Sequence, residues 1–403
     1  MALTELLKKR TLVVLGLNSG TSADGLDMVA LRIDTSRTPY KVKLLRGRFT
    51  RFRPALKKTL DSFIETGGSS IDDMIRLDQA LGNQLGRASR SFIKALAKDR
   101  IKIDLIASHG QTVRHLPQKR KLAGFIINGT LQLGSLEQIV THTGIPVVGD
   151  FRQADIALGN EGAPITVSAM NDLCADPNES RLILNIGGMA NYFYFPDTRS
   201  KNRIKAEDCG PGNYLSDQIT RHFFKKPYDR NGRLALQGEP NEKLLTSLMK
   251  HPFLRSRRAS TGFEEFGTTL TEEIISYANR HQLSPHDLLA TVAVFTARAI
   301  ARKLKTLIKQ DRTLTKLYLT GGGVHNSFIK EKLQQELKSV ELLTVNDLGL
   351  DSDLLEATSY ALMGAAALRS RPLPTRFDNR PVKSLAVSGR IVQPPVAVKR
   401  SKR

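Results

Sequence analysis

Apolar and polar positions along this chain fall into two alternating periods. Thr11-Leu-Val-Val-Leu-Gly-Leu17 is an apolar run of strand length, and after a polar turn Val29, Leu31 and Ile33 alternate with Ala30 and Arg32. That pattern predicts a hairpin of one buried and one half-exposed strand. The same build returns as Arg181-Leu-Ile-Leu-Asn-Ile186, the turn Gly187-Gly-Met-Ala-Asn191, and Tyr192-Phe-Tyr-Phe195. Helical spacing is predicted over 71–96, 287–308 and 352–368, and buried strands over 103–107, 143–152 and 316–320. Strands alternating with helices make an α/β protein, and a hairpin repeated in each half implies two similar lobes. The expected division is residues 1–150, then 151–375 with helix 352–368 free to pack back on the first lobe, then a basic tail 376–403 without any period.

The turns carry the candidate chemistry. Asn18-Ser-Gly-Thr-Ser-Ala-Asp-Gly25 consists almost wholly of small, hydroxyl and glycine residues, so successive backbone N–H groups can come close to a phosphate. A third glycine run, Gly321-Gly-Gly323, follows a strand and precedes apolar helical spacing at Phe328, Ile329, Leu333 and Leu337, with Asn326 or Ser327 as the helix cap. One glycine turn alone is an ordinary β-turn. Three of them behind strands point to a nucleotide clamp, though none fits the G-x-x-x-x-G-K-[ST] loop or the G-x-G-x-x-G fingerprint.

Composition narrows the class. A chain of 403 residues exceeds one ordinary domain, and 40% hydrophobic content can fill two cores. The two cysteines, Cys174 and Cys209, lack a C-x-x-C spacing, which excludes a disulfide framework or structural zinc and fits a reducing cytoplasm. No apolar run reaches membrane-spanning length and the first residues lack the order of a signal peptide, so no membrane partner is expected. The net charge is +22, from 61 Lys and Arg against 39 Asp and Glu, with clusters such as Lys119-Arg-Lys121 and Arg255-Ser-Arg-Arg258. With 6% aromatic residues and no nucleic-acid motif, a solvated basic surface is the expectation rather than a specific nucleic-acid site.

Taken in order, the motifs resemble those of the anhydro-N-acetylmuramic acid kinase family, within the superfamily of sugar kinases, actin and heat-shock-type ATPases. The resemblance rests on Ser19 to Asp27, Ser108-His-Gly-Gln-Thr-Val-Arg-His115, Gly144 to Arg152 with Asp155, Gly162-Ala-Pro164, Asn185-Ile-Gly-Gly188, Asp208-Cys-Gly-Pro-Gly-Asn213, Tyr228-Asp229 with Gly232, Ser260-Thr-Gly262, Gly321 to Asn326, and Glu356. It implies two actin-like, sugar-kinase-like lobes with a central nucleotide cleft, and a kinase that uses ATP and Mg2+ to open and phosphorylate 1,6-anhydro-N-acetylmuramic acid in peptidoglycan recycling.

By that resemblance Asp208 is the base. ATP would meet Ser19, Gly20, Thr21, Ser22, Asp24, Gly25, Asn185, Gly187, Gly188, Gly210, Gly212, Gly321, Gly322, Gly323 and Asn326; the sugar would meet His109, Arg114, Arg152, Asp155 and Glu356; Asp24 and Asp27 would hold the metal through water. A homodimer is left open. Departures from the family pattern stand at Asn18, Ser135, Asn160 and Glu161, and they motivate an alternative, a catalytically weak nucleotide-binding regulatory or scaffold protein of the same fold.

Overall fold

The computed structural model describes residues 3–20, 23–66, 70–200, 202–256, 261–373 and 386–395. The chain divides into two compact units, Met1–Leu173 with Leu354–Arg403, and Cys174–Asp353.

In the first unit β1 (Thr11–Asn18), β2 (Gly25–Asp34), β3 (Lys41–Arg51) and β4 (Leu105–Ser108) share a sheet, while β5 (Gln111–Leu122) and β6 (Phe125–Leu133) form a separate two-stranded ribbon. With β7 (Val147–Gly149) the sheet runs β3-β2-β1-β4-β7. The predicted hairpin is present, Thr11 paired with Asp34 and Asn18 with Asp27. The second unit holds β8 (Arg181–Ile186), β9 (Met189–Phe195), β10 (Lys205–Pro211), β11 (Lys316–Thr320) and β12 (Glu341–Thr344) in the order β10-β9-β8-β11-β12. Strand senses match as well as order: each sheet has two antiparallel steps on one side of its first strand and two parallel steps on the other. The expected fold class, α/β with two lobes of the actin and sugar-kinase type, is therefore present in both sheets.

Each unit has its own core. Helix Pro285–Gln310 is buried on every side from Leu288 to Ala297, where it is apolar nearly all round, and beyond that buries only one face, through Ile300, Leu304 and Leu307. It starts at Ser284, whose hydroxyl accepts from Asp287 N at 3.0 Å, with Pro285 in the first turn. Helix Leu355–Leu368 belongs to the first unit and lies on β1 so closely that a Cβ at Gly16 would stand 2.1 Å from the Ala357 carbonyl. That approach brings the start of the helix to the end of β1.

Three features differ from the expectation. The 143–152 strand shrinks to Val147–Gly149, because Gly144 at φ 67° closes the preceding helix Leu136–Thr143. The first unit runs to Leu173 rather than 150, since Ile165 and Ala169 share a core cluster with Val14 and Val148. Within the tail, Arg390–Val392 forms β13, which pairs antiparallel with β7 at the sheet edge. A three-residue strand has no period to read; its partner supplies its hydrogen bonds.

Candidate functional site

Two constellations of expected site residues form, one in each unit. In the second unit, β8 ends at Ile186 and the chain turns through Gly187 and Gly188. There Gly212 N donates to Gly188 O at 2.9 Å and Asn213 N to Gly187 O at 2.8 Å, so the two glycine turns lie backbone against backbone. A Cβ at Gly212 would sit 2.2 Å from the Gly187 oxygen, which excludes any larger residue. The third run joins them: a Cβ at Gly321, where φ is +79°, would meet Asn185 Oδ1 at 2.3 Å, and one at Gly323 the Ile186 side chain at 2.4 Å. Asn213 Nδ2 donates to Ile186 O and Thr296 Oγ1 to Gly212 O, holding the turns from behind. Asn326 is the helix cap, its Oδ1 accepting from Ile329 N at 3.1 Å, so its side chain has a structural role first.

Asp208 lies on β10 beside this cradle. The register slips between Asp208 and Gly210, a bulge that re-aims the strand before it enters the 210–212 turn. One carboxylate oxygen, Oδ2, accepts from Thr261 N at 2.9 Å, which fixes the carboxylate's orientation. Asn185, Asn191 and Asp208 occupy one rung across β8, β9 and β10, so their side chains share a face. Asn191 Oδ1 is buried with no hydrogen-bond partner among the described residues, at a cost of about 1–3 kcal/mol. A substrate hydroxyl or water would satisfy it.

In the first unit Asn18 Nδ2 donates to Glu356 Oε2 at 2.7 Å, and Ser19 Oγ to Gln111 Oε1 at 2.5 Å. His109 stacks on Tyr360 with ring centroids 4.4 Å apart. Arg152 Nε donates to His109 Nε2 at 3.0 Å, so that nitrogen carries no proton and Nδ1 donates to Gly110 O at 3.2 Å, a tautomer assigned from these partners. Burial, then the Arg152 charge, hold the imidazole pKa well below 6.5, so His109 stays neutral. The guanidinium is gripped further by Gly162 O at 2.7 Å and by the Tyr360 hydroxyl, whose own pKa burial raises to about 12. Asp155 is buried and accepts from Gly162 N and Asn160 Nδ2, tying down the 160–162 loop.

The sequence of the chain matches the profile of one family, anhydro-N-acetylmuramic acid kinase, over residues 12–382. The chain belongs to the anhydro-N-acetylmuramic acid kinase family. It is 32% identical to the anhydro-N-acetylmuramic acid kinase of Salinibacter ruber over 394 residues, 96% of this chain and 99% of that one. With the kinase of the same name from Bacillus cereus strain Q1 it shares 33% over 362 residues, 89% of this chain and 94% of that one. Solved structures that align include a ROK family glucokinase from Streptomyces griseus, at 11% identity and a TM-score of 0.36 over 88% of this chain and 99% of that one.

Membership in a kinase family makes the chain an enzyme of the phosphotransferase class, and the remaining expected residues can be placed within it. Arg114 is exposed on β5 and does not join the His109 and Arg152 group. Gly25 opens β2, where a Cβ would meet Thr50 O at 2.4 Å, so strand packing alone demands glycine. Gly20 and Gly322 face more open space, as glycines fronting a ligand would. Thr21 and Ser22 lie outside the described residues, as does Ser260 of the Thr261 loop. Asp24 pairs with Lys57 at 3.2 Å and, with Asp27, supplies two carboxylates but no three-ligand cluster; no such cluster occurs among the described residues.

Several residues of the site were missed in the sequence. Tyr360 and Gln111 become visible only through their partners, His109 and Ser19. Three of the departures also gain roles. Asn18 holds Glu356, Asn160 holds Asp155, and Ser135 caps helix Leu136–Thr143 through Gln138 N.

Proposed function

We propose that this enzyme transfers the γ-phosphoryl group of ATP to 1,6-anhydro-N-acetylmuramic acid and opens the anhydro bridge with water, giving N-acetylmuramic acid 6-phosphate. Asp208 takes a proton from the water that attacks the anomeric carbon. The bond from that carbon to the bridge oxygen breaks, and the bridge oxygen, still on C6, attacks the γ-phosphorus while ADP departs. The observation that carries this reading is the carboxylate of Asp208, oriented by Thr261 N and standing two residues before the glycine turn that packs on Gly187 and Gly188.

Backbone N–H groups of the 187–188, 210–212 and 321–323 turns bind phosphate. Arg152 receives the lactyl carboxylate: with His109, Gly162 O and Tyr360 fixing its guanidinium, little side-chain entropy is left to lose. Glu356, oriented by Asn18, accepts from a sugar hydroxyl. A magnesium ion held through water by Asp24 and Asp27 would neutralise charge on the transferred phosphate. The enzyme works in the cytoplasm, in cell-wall recycling, and the sheltered thiols of Cys174 and Cys209 are in keeping with that compartment.

Incubation with ATP, magnesium and the anhydro sugar in oxygen-18 water tests the chemistry. The product should carry the heavy oxygen on the anomeric carbon and none in the phosphate ester. Label in the ester, or no product, overturns the reading.

A further inference from the structure

The ribbon of β5 and β6 ends in an apolar tip that the kinase chemistry does not use. Its turn, Ala123-Gly124, has φ 48° and 88°, the left-handed pair of a tight two-residue hairpin, so the tip projects as a narrow point. On it Leu122 is 66% exposed, Phe125 69% and Ile126 72%. Paired residues share a face, so Leu122, Phe125 and Ile127 stand on one side with Arg120, while Ile126 stands on the other with Lys121. Apolar groups therefore crown both faces. Behind them come Lys119, Arg120 and Lys121, all exposed, and no acidic residue occurs from Leu105 to Leu136.

We propose that this tip inserts into the surface of an anionic lipid bilayer. A flat protein face could cover one side of the ribbon, whereas a fluid apolar medium covers both. From the turn to the Arg120 and Ile127 pair is three to four residues, about 10 Å at ~3.4 Å per residue, which matches the depth of the headgroup and upper acyl boundary and leaves the basic collar level with lipid phosphates. Like charges set a second copy of the ribbon against it, since both would be wholly basic. The contact is peripheral; among the described residues no helix is long and apolar enough to cross a membrane.

The test uses the full chain and sedimentation with vesicles of phosphatidylcholine plus phosphatidylglycerol, against phosphatidylcholine alone. The wild-type chain should bind the anionic vesicles and not the neutral ones. The double variant Phe125→Ser with Ile126→Ser, and the triple variant with Lys119, Arg120 and Lys121 each changed to Gln, should each bind about tenfold more weakly. Their melting temperature and turnover on soluble substrate should stay unchanged, because the altered side chains are exposed and outside the proposed site. Absence of binding, equal binding to neutral vesicles, or full binding by the Phe125→Ser/Ile126→Ser variant overturns the proposal, the last assigning attachment to diffuse charge. So does a wild-type dimer in sedimentation velocity that this variant dissolves, which would seat the tip on a second copy.

Discussion

At the scale of single residues, the sequence announced carboxylates and glycines but not their neighbours. Asp208 stood out through the family resemblance of its Asp-Cys-Gly-Pro-Gly segment; that Thr261 N orients it and Asn191 shares its rung depends on other strands and loops. Replacing Asp208 with Asn preserves size and removes the proton acceptor. Turnover should fall by about two orders of magnitude or more while nucleotide affinity by calorimetry stays near wild type; near-normal turnover would remove Asp208 from the role. A second residue was not legible at all. Asp217, on helix Tyr214–Phe224, has its pKa raised to about 7 by burial, with Asp229 adding to it and Arg221 opposing. The folded protein thus holds this proton up to about pH 7 while the unfolded chain releases it near 3.8, so stability falls as pH rises between those values. Asp217→Asn should abolish that slope and gain about 2 kcal/mol over wild type at pH 8, read from urea unfolding at pH 4 and 8. Equal pH dependence of the two proteins would contradict it.

At the scale of elements, long periodic segments were legible and short or irregular ones were not. Helix Ile71–Lys98, helix Pro285–Gln310 and the two hairpins follow from spacing. The β5–β6 ribbon hides behind Pro117 and two breaks in register, and β13 is three residues long. That last strand covers the edge of β7, and Arg390 reaches Asp150 and Glu137 at 2.8 Å each. Deleting 386–403 should expose the edge and lower the melting temperature by several degrees, whereas Arg390→Ala should cost at most about 1 kcal/mol because its ion pairs are exposed. Calorimetry on both variants decides; a deletion that melts with the wild type would make β13 dispensable.

At the scale of the whole molecule, the second unit is one continuous stretch and the first is not. The second unit's core cluster draws only on residues between Leu182 and Val340, all inside Cys174–Asp353. A fragment of residues 174–353 should therefore fold alone, with a cooperative urea transition by circular dichroism; a fragment that unfolds without cooperativity would show that it borrows stability from the rest. The sequence by itself determined the α/β class, the repeated hairpin, the glycine turns and the kinase family, because period, turn chemistry and motif order are local properties of the chain. Only the tertiary structure decided that helix Leu355–Leu368 joins the first unit, that Asn18 holds Glu356, that a neutral His109 holds Arg152, and that three glycine turns converge around Ile186. Those depend on which surfaces bury one another, and burial and close approach between residues tens to hundreds of positions apart leave no trace in spacing.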